Sequence, residues 1–253
     1  MSLTRRVIVC LDVRGGRVVK GTRFEGLRDV GEPAALAERY EAEGADEIVF
    51  LDISASVDER ATSLEAVRRT AERLFIPLTV GGGIRSVSDA ERALRSGADK
   101  VSVNSAAIAE PGLIGSLADR FGRQCVVASI DAKEQPDGWR VFSHGGRRDT
   151  GLDALAWTGV CVARGAGEVL LTSIDRDGTR SGYDVALTAR VARMVNVPVI
   201  ASGGAGSASD VEEVFVRGAA DAALVAGIVH DGDTSVREIK SRLKSAGIPT
   251  RPA

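Results

Sequence analysis

The sequence predicts an α/β fold, a (β/α)8 TIM barrel built from two similar half-barrels, and three observations lead there. The chain repeats itself at a spacing of about 120 residues, far longer than a solenoid unit. Val80-Gly81-Gly82-Gly83-Ile84-Arg85-Ser86-Val87-Ser88-Asp89 recurs as Ala201-Ser202-Gly203-Gly204-Ala205-Gly206-Ser207-Ala208-Ser209-Asp210. Val7-Ile8-Val9-Cys10-Leu11-Asp12 recurs as Val126-Val127-Ala128-Ser129-Ile130-Asp131, and Gly44-Ala45-Asp46-Glu47-Ile48 as Gly165-Ala166-Gly167-Glu168-Val169. Short runs of Val, Ile and Leu alternate with amphipathic stretches of helical period, the pattern of strands buried on both faces in a parallel sheet. Finally, 253 residues are the usual size of one such barrel, and no linker or composition shift divides residues 1–253, which read as a single domain.

The elements follow in order. Strands are predicted over residues 7–13, 47–52, 78–80, 101–103, 126–131, 169–173, 199–201 and 222–225. Helices are predicted over 33–43, 64–74, 87–96, 111–121, 152–164, 185–195, 208–217 and 235–246. Gly44, Gly97, Gly165 and Gly218 stand just after helices, where a left-handed cap favours glycine. Pro77 and Pro198 precede equivalent strands, where a missing N–H is tolerated. Eight βα units in two matching sets close as a barrel; an open Rossmann sheet would not predict the two-fold repeat. Two connections are longer than the rest, residues 14–32 after the first strand and 132–150 after the fifth. On the catalytic face of a barrel such loops act as lids or substrate contacts.

Charged residues make up 27% of the chain and the formal net charge is −2, with cations scattered beside acids, so no basic face for nucleic acid is expected. No apolar run reaches a membrane-spanning length and no signal peptide precedes the first strand, which predicts a cytoplasmic protein without a membrane segment. Cys10, Cys125 and Cys161 lack metal-ligand spacing; Cys10 and Cys125 fall in the strand regions, and all three read as buried reduced thiols.

Chemistry concentrates at strand ends. Asp12 and Asp131 close equivalent strands and should face each other across the barrel mouth, where carboxylates in different surroundings can divide acid and base roles. One such Asp alone would more simply cap a loop; the repeat argues for function. Gly81-Gly82-Gly83 and Gly203-Gly204 follow strands three and seven and lead into helices. Glycine lets the backbone approach a phosphate, and the helix start supplies N–H donors. Asn104-Ser105 and Ala226-Gly227 follow strands four and eight, so each loop pair can cradle one phosphate and a ligand phosphorylated at both ends is the natural guest. Asp175-Arg176-Asp177-Gly178-Thr179 after strand six has the composition of a turn, yet Asp177 and Thr172 at the mouth can bind hydroxyls or assist proton transfer. Lys20 is a cation near Asp12 in sequence, as are Arg14 and Arg17, and reads as either solvated or functional.

A third set lies at the opposite end. Arg6, Glu47, Lys100 and Glu168 stand before or at the start of strands one, two, four and six, where two cations and two anions can close a ring of salt bridges. Composition does not choose between a stabilising plug and a gate.

Together these residues closely resemble the family of cyclase subunits of imidazole glycerol phosphate synthase in histidine biosynthesis, over essentially residues 5–248. The resemblance includes Cys10-Leu11-Asp12-Val13, Gly16-Arg17-Val18-Val19-Lys20-Gly21, Leu27-Arg28-Asp29, Phe50-Leu51-Asp52-Ile53-Ser54-Ala55-Ser56 and Thr79-Val80-Gly81-Gly82-Gly83-Ile84. It continues through Asp99-Lys100-Val101-Ser102-Val103-Asn104, Ser129-Ile130-Asp131-Ala132 and Ser173-Ile174-Asp175-Arg176-Asp177-Gly178-Thr179. It implies a substrate with a phosphate at each end, phosphoribulosyl-formimino aminoimidazole carboxamide ribonucleotide, to which ammonia adds before the carbon–nitrogen bond breaks and the imidazole ring closes. By the same resemblance, Asp12 and Asp131 match the acid/base pair and Lys20 a mobile-loop lysine. Gly82, Gly83, Asn104, Ser105, Thr172, Asp177, Gly178, Gly203, Gly204, Ala226 and Gly227 match the substrate site. Ammonia would come from a glutaminase docked on the barrel bottom, with Arg6, Glu47, Lys100 and Glu168 as a charged gate and Asp99 beside that interface, and the resemblance implies no metal or organic cofactor.

Four features depart from the family pattern. Gly227 stands where serine is common, one extra residue lies in Ala219-Ala220, Ser105 replaces a common threonine, and His230-Asp231-Gly232-Asp233 replaces a His-aromatic-Gly-Glu run. Two rivals compete with the cyclase: a sister phosphoribosyl-formimino isomerase on the same fold, opposed by the Lys20 loop and the charged set, and a non-catalytic glutaminase-binding barrel, opposed by Asp12 and Asp131.

Overall fold

The computed structural model describes residues 3–22, 25–53 and 63–253. The first half runs β1 (Arg6–Arg14), β2 (Arg17–Thr22), β3 (Glu25–Gly31), α1 (Pro33–Ala42), β4 (Glu47–Asp52), α2 (Leu64–Ala71), β5 (Leu78–Gly81), α3 (Val87–Arg95), β6 (Lys100–Val103), α4 (Ser105–Ala109) and α5 (Gly112–Phe121). The second runs β7 (Val126–Gln135), β8 (Gly138–Ser143), β9 (Arg148–Asp153), α6 (Ala154–Ala163), β10 (Glu168–Ser173), α7 (Val185–Met194), β11 (Val199–Ser202), α8 (Ala208–Val216), β12 (Ala222–Val225), α9 (Gly227–His230) and α10 (Val236–Ser245). Strands β1, β4, β5, β6, β7, β10, β11 and β12 pair in that order, all parallel, and β12 returns to β1. The barrel is closed, and β1 and β7 lie on opposite sides of it.

The period of two along each strand divides the core. On β1, Val7, Val9 and Leu11 turn outward into the layer shared with the helices, including Tyr40 of α1. Ile8 and Cys10 turn inward and meet Val49, Val127, Leu170, Ile200, Ala222 and Leu224 in an apolar lumen. Arg6 and Asp12, of the same parity, reach opposite ends of that lumen. Three aspartates lock the N-terminal edge: Asp46, Asp99 and Asp221 accept the backbone N–H groups of Val7, Leu78 and Val199 at 2.8, 2.8 and 3.0 Å.

Half of the repeated motif is structural. Ser86 caps α3, its hydroxyl accepting the Asp89 N–H at 3.1 Å, and Ser207 with Asp210 forms a capping box at the start of α8. Such caps contribute roughly 1 kcal/mol each.

Several expectations need correction. The two long connections are not plain loops: β2 and β3 continue antiparallel from β1, as β8 and β9 do from β7. Alternating burial along Gly138–Ser143 marks this, with Trp139 and Val141 packed inward. The short helices α4 and α9 follow equivalent strands and are too brief to leave a periodic signal. Helix α2 ends at Ala71, short of the expected position, and Cys125 closes a 3-10 turn, half-buried, ahead of β7. Gly44, Gly97 and Gly165 adopt the left-handed conformation, but Gly218 does not; the extra residue shifts that role to Ala219, at φ 55°. Residues 54–56 of the Phe50–Ser56 motif lie outside the described residues. Among the described residues no helix is long and apolar enough to cross a membrane.

Candidate active site

The C-terminal ends of the barrel strands surround a cavity of about 830 Å³. Every residue expected to act on or hold the substrate lines it: Asp12, Lys20, Gly82, Gly83, Asn104, Ser105, Asp131, Thr172, Asp177, Gly178, Gly203, Gly204, Ala226 and Gly227.

Asp12 and Asp131 project into this space from opposite strands. Enclosure by the cavity wall pushes each carboxyl up to about 7, and the negative charge of Asp177 adds to the shift. The two differ in their donors. Asp131 accepts a hydrogen bond from Asn104 Nδ2 at 2.9 Å, whereas Asp12 faces the weak thiol donor of Cys10 at 3.4 Å. Burial raises Asp177 too, opposed by the backbone N–H of Gly178. Asn104 Oδ1 is buried and has no hydrogen-bond partner among the described residues, so an acceptor remains for a ligand. Thr172 sits in register beside Asp131.

The glycine-rich turns flank the aspartates. Gly82 (φ 84°) and Gly203 (φ 88°) take equivalent left-handed conformations, and a Cβ would lie 2.1 Å from the Asp52 carbonyl oxygen at the first and 2.7 Å from that of Ser173 at the second. No other residue type fits either position without moving backbone. The Ser105 hydroxyl accepts the His144 N–H at 2.9 Å, tying the start of α4 to the connection between β8 and β9.

Sequence reasoning missed several groups. Cys10 lines the cavity in contact with Asp12 rather than serving only as a core thiol, and burial pushes its pKa well up. His230 joins Tyr40 Oη at 2.7 Å to the Cys10 carbonyl at 3.0 Å. The carbonyl only accepts, so Nε2 carries the proton and Nδ1 accepts from tyrosine. Burial pushes His230 down to about 4, and it stays neutral, fixing β1 two residues before Asp12. A histidine at a helix end gave no signal of this. Lys20 reaches the loop after the neighbouring strand β12, donating to the Gly227 carbonyl at 3.3 Å and pairing with Asp231.

At the opposite end the four charges do meet. Arg6 pairs with Glu47 at 3.0 Å and with Glu168, and Lys100 bridges the same two carboxylates at 2.8 Å each. Thr79 donates to Glu47 at 2.6 Å. Both glutamates are buried. Asp99 stands next to Lys100, its carboxylate engaged by the Leu78 N–H, the clamp it shares with Asp46 and Asp221.

A model of the family described as histidine biosynthesis protein matches residues 6–235. The chain belongs to that family. Within it, the chain is similar to proteins named imidazole glycerol phosphate synthase subunit HisF: 69% identical to that of Myxococcus xanthus over 98% of both chains. It is 55% identical to that of Dehalococcoides mccartyi over 98% of both, and 55% identical to that of Clostridium botulinum over 98% of this chain and 99% of the relative.

Proposed function

We propose that this chain is the cyclase subunit of imidazole glycerol phosphate synthase, a lyase-type enzyme of histidine biosynthesis. The observation that carries the mechanism is the pair of enclosed carboxyls, Asp12 and Asp131, each raised to about 7 and facing one cavity. Near neutral pH each is close to half protonated, so one can give a proton while the other takes one. Ammonia attack, carbon–nitrogen cleavage and imidazole closure all require proton movement at the same substrate. The glycine turns at residues 82–83 and 203–204, with Asn104-Ser105 and Ala226-Gly227, hold the phosphates at the ends of phosphoribulosyl-formimino aminoimidazole carboxamide ribonucleotide and stretch it between the aspartates. The products are imidazole glycerol phosphate and aminoimidazole carboxamide ribotide. Thr172, Asp177 and Gly178 serve its hydroxyls.

Ammonia reaches the cavity from the other end. A glutaminase subunit docks on the face bearing Arg6, Glu47, Asp99, Lys100 and Glu168, and the salt-bridge ring opens onto the apolar lumen between Ile8, Val49, Val127 and Ile200. An apolar passage suits neutral ammonia and disfavours ions. The whole chain works as one domain, in the cytoplasm.

Turnover of the formimino substrate with ammonium salt and no partner tests this reading. Isomerisation of the upstream ribosyl compound instead, or no turnover at all, would favour the sister isomerase or the non-catalytic barrel. Inorganic phosphate is also expected to occupy both glycine turns in crystals; density at the Gly82-Gly83 turn alone would mean that the site beside Gly227 has lost its grip.

A further inference from the structure

Two of the positions that depart from the family pattern meet through Lys20. Gly227 leaves open the volume that the lysine fills, for a Cβ there would lie 2.9 Å from its Nζ and 3.0 Å from its Cε. The ammonium donates to the Gly227 carbonyl and pairs with the carboxylate of Asp231. The same carboxylate receives the guanidinium groups of Arg28, on β3, and Arg180, in the turn after β10. Arg180 also pairs with Asp233 at 2.8 Å. Asp231 is held in place by its own N–H, which donates to the Gly227 carbonyl at 3.0 Å, and its side chain is 17% exposed.

Three cations from three separate segments thus converge on one carboxylate, at the rim of a cavity that Lys20, Arg180, Gly204 and Gly227 line. Like charges so close repel unless an anion stands among them. Even with Asp233 beside Arg180, two carboxylates face three cations, so the cluster keeps one positive charge in excess and remains an attractive place for a further anion. Guanidinium and ammonium groups take carboxylate and phosphate by the same charge-assisted hydrogen bonds, which lets one replace the other.

We propose that Asp231 is a resident counter-anion that latches the β2–β3 hairpin through Lys20 and Arg28 in the free protein and sets the phosphate affinity of the Gly203-Gly204/Gly227 side by competing for Lys20 and Arg180. This rests on the reading of that side as a phosphate site. A ligand phosphate takes the two cations from Asp231, and Asp231 in turn weakens the grip on that phosphate. It is a positioning residue, since it acts on the ligand only through the cations it holds.

The test is inorganic phosphate titrated into wild type and Asp231→Asn, with the amide signals of Gly82, Gly83, Gly203 and Gly204 reporting the two turns separately. The variant is expected to bind phosphate about tenfold more tightly at the second turn, with the difference shrinking as salt rises, and to leave the first turn unchanged. Amide exchange of residues 17–22 in the phosphate-free protein is expected to quicken. Equal affinity at the second turn in both proteins would overturn the counter-anion while leaving the phosphate site standing, and weaker binding in the variant would overturn it likewise. Absence of phosphate binding at the second turn in either protein would remove the underlying reading as well. If Asp231→Asn does not fold, Asp231→Ser makes the same comparison.

Discussion

Asp12→Asn or Asp131→Asn is expected to lower cyclisation by at least roughly 10²–10⁴-fold and, at pH 8, to raise thermal stability. Asparagine keeps the shape and removes the transferable proton. At position 131 its amide can still present oxygen to Asn104 Nδ2, which preserves the local bond. The stability gain follows from the direction of the shift. Each carboxyl is raised from an ordinary 3.8 to about 7 by enclosure first and by Asp177 second. Between those values the unfolded chain has released a proton that the folded protein still holds, so wild-type stability falls as pH rises through about 4 to 7 and stays low above. Such a shift corresponds to about 4 kcal/mol per carboxyl at most. The variants should therefore melt higher than wild type at pH 8 and alike below about pH 4, with circular dichroism as the measure. Near-normal turnover on ammonium salt in either variant would remove these aspartates from the mechanism.

The barrel was legible because its signals are periodic and doubled. Buried parallel strands write continuous apolar runs, and one half confirms the register of the other, which is why Asp12 and Asp131 could be paired without a structure. The glycine turns were legible for a similar reason, although Ser86-Val87-Ser88-Asp89 and its copy caps helices and says nothing of a ligand. What escaped depends on long-range contact. His230 reaches Tyr40 and the Cys10 carbonyl across some 190 and 220 positions of chain, and no local pattern announces such a bond. The hairpins escape local reading because glycines and charges interrupt the alternation along β2, β3 and β9, and only the short β8 alternates cleanly. Gly218 misled for a different reason. The single extra residue before β12 moved the left-handed position onto Ala219, and close approach to the Val214 carbonyl oxygen, not a positive φ, is what favours glycine at 218.

Lys100→Ala is expected to keep activity on external ammonium yet to lose most of the coupling between glutamine hydrolysed by the partner and product formed. Lys100 is one of two cations that bridge Glu47 and Glu168, and without it Arg6 alone faces two buried carboxylates. Removing one partner from a buried ionic group typically costs about 3–5 kcal/mol, so the melting temperature should fall in any case. Lower stability therefore does not distinguish a plug from a gate. The nitrogen source does. A plug sets only the stability of the N-terminal mouth, and product per glutamine would stay at the wild-type ratio once the protein is folded. A gate admits ammonia from the docked glutaminase and keeps water and ions out of the apolar lumen above it, so its loss lets ammonia escape between the two sites. The ratio of imidazole glycerol phosphate formed to glutamine consumed, measured for wild type and Lys100→Ala with saturating partner, is expected to drop severalfold. An unchanged ratio would reduce the ring to a structural closure of the barrel bottom.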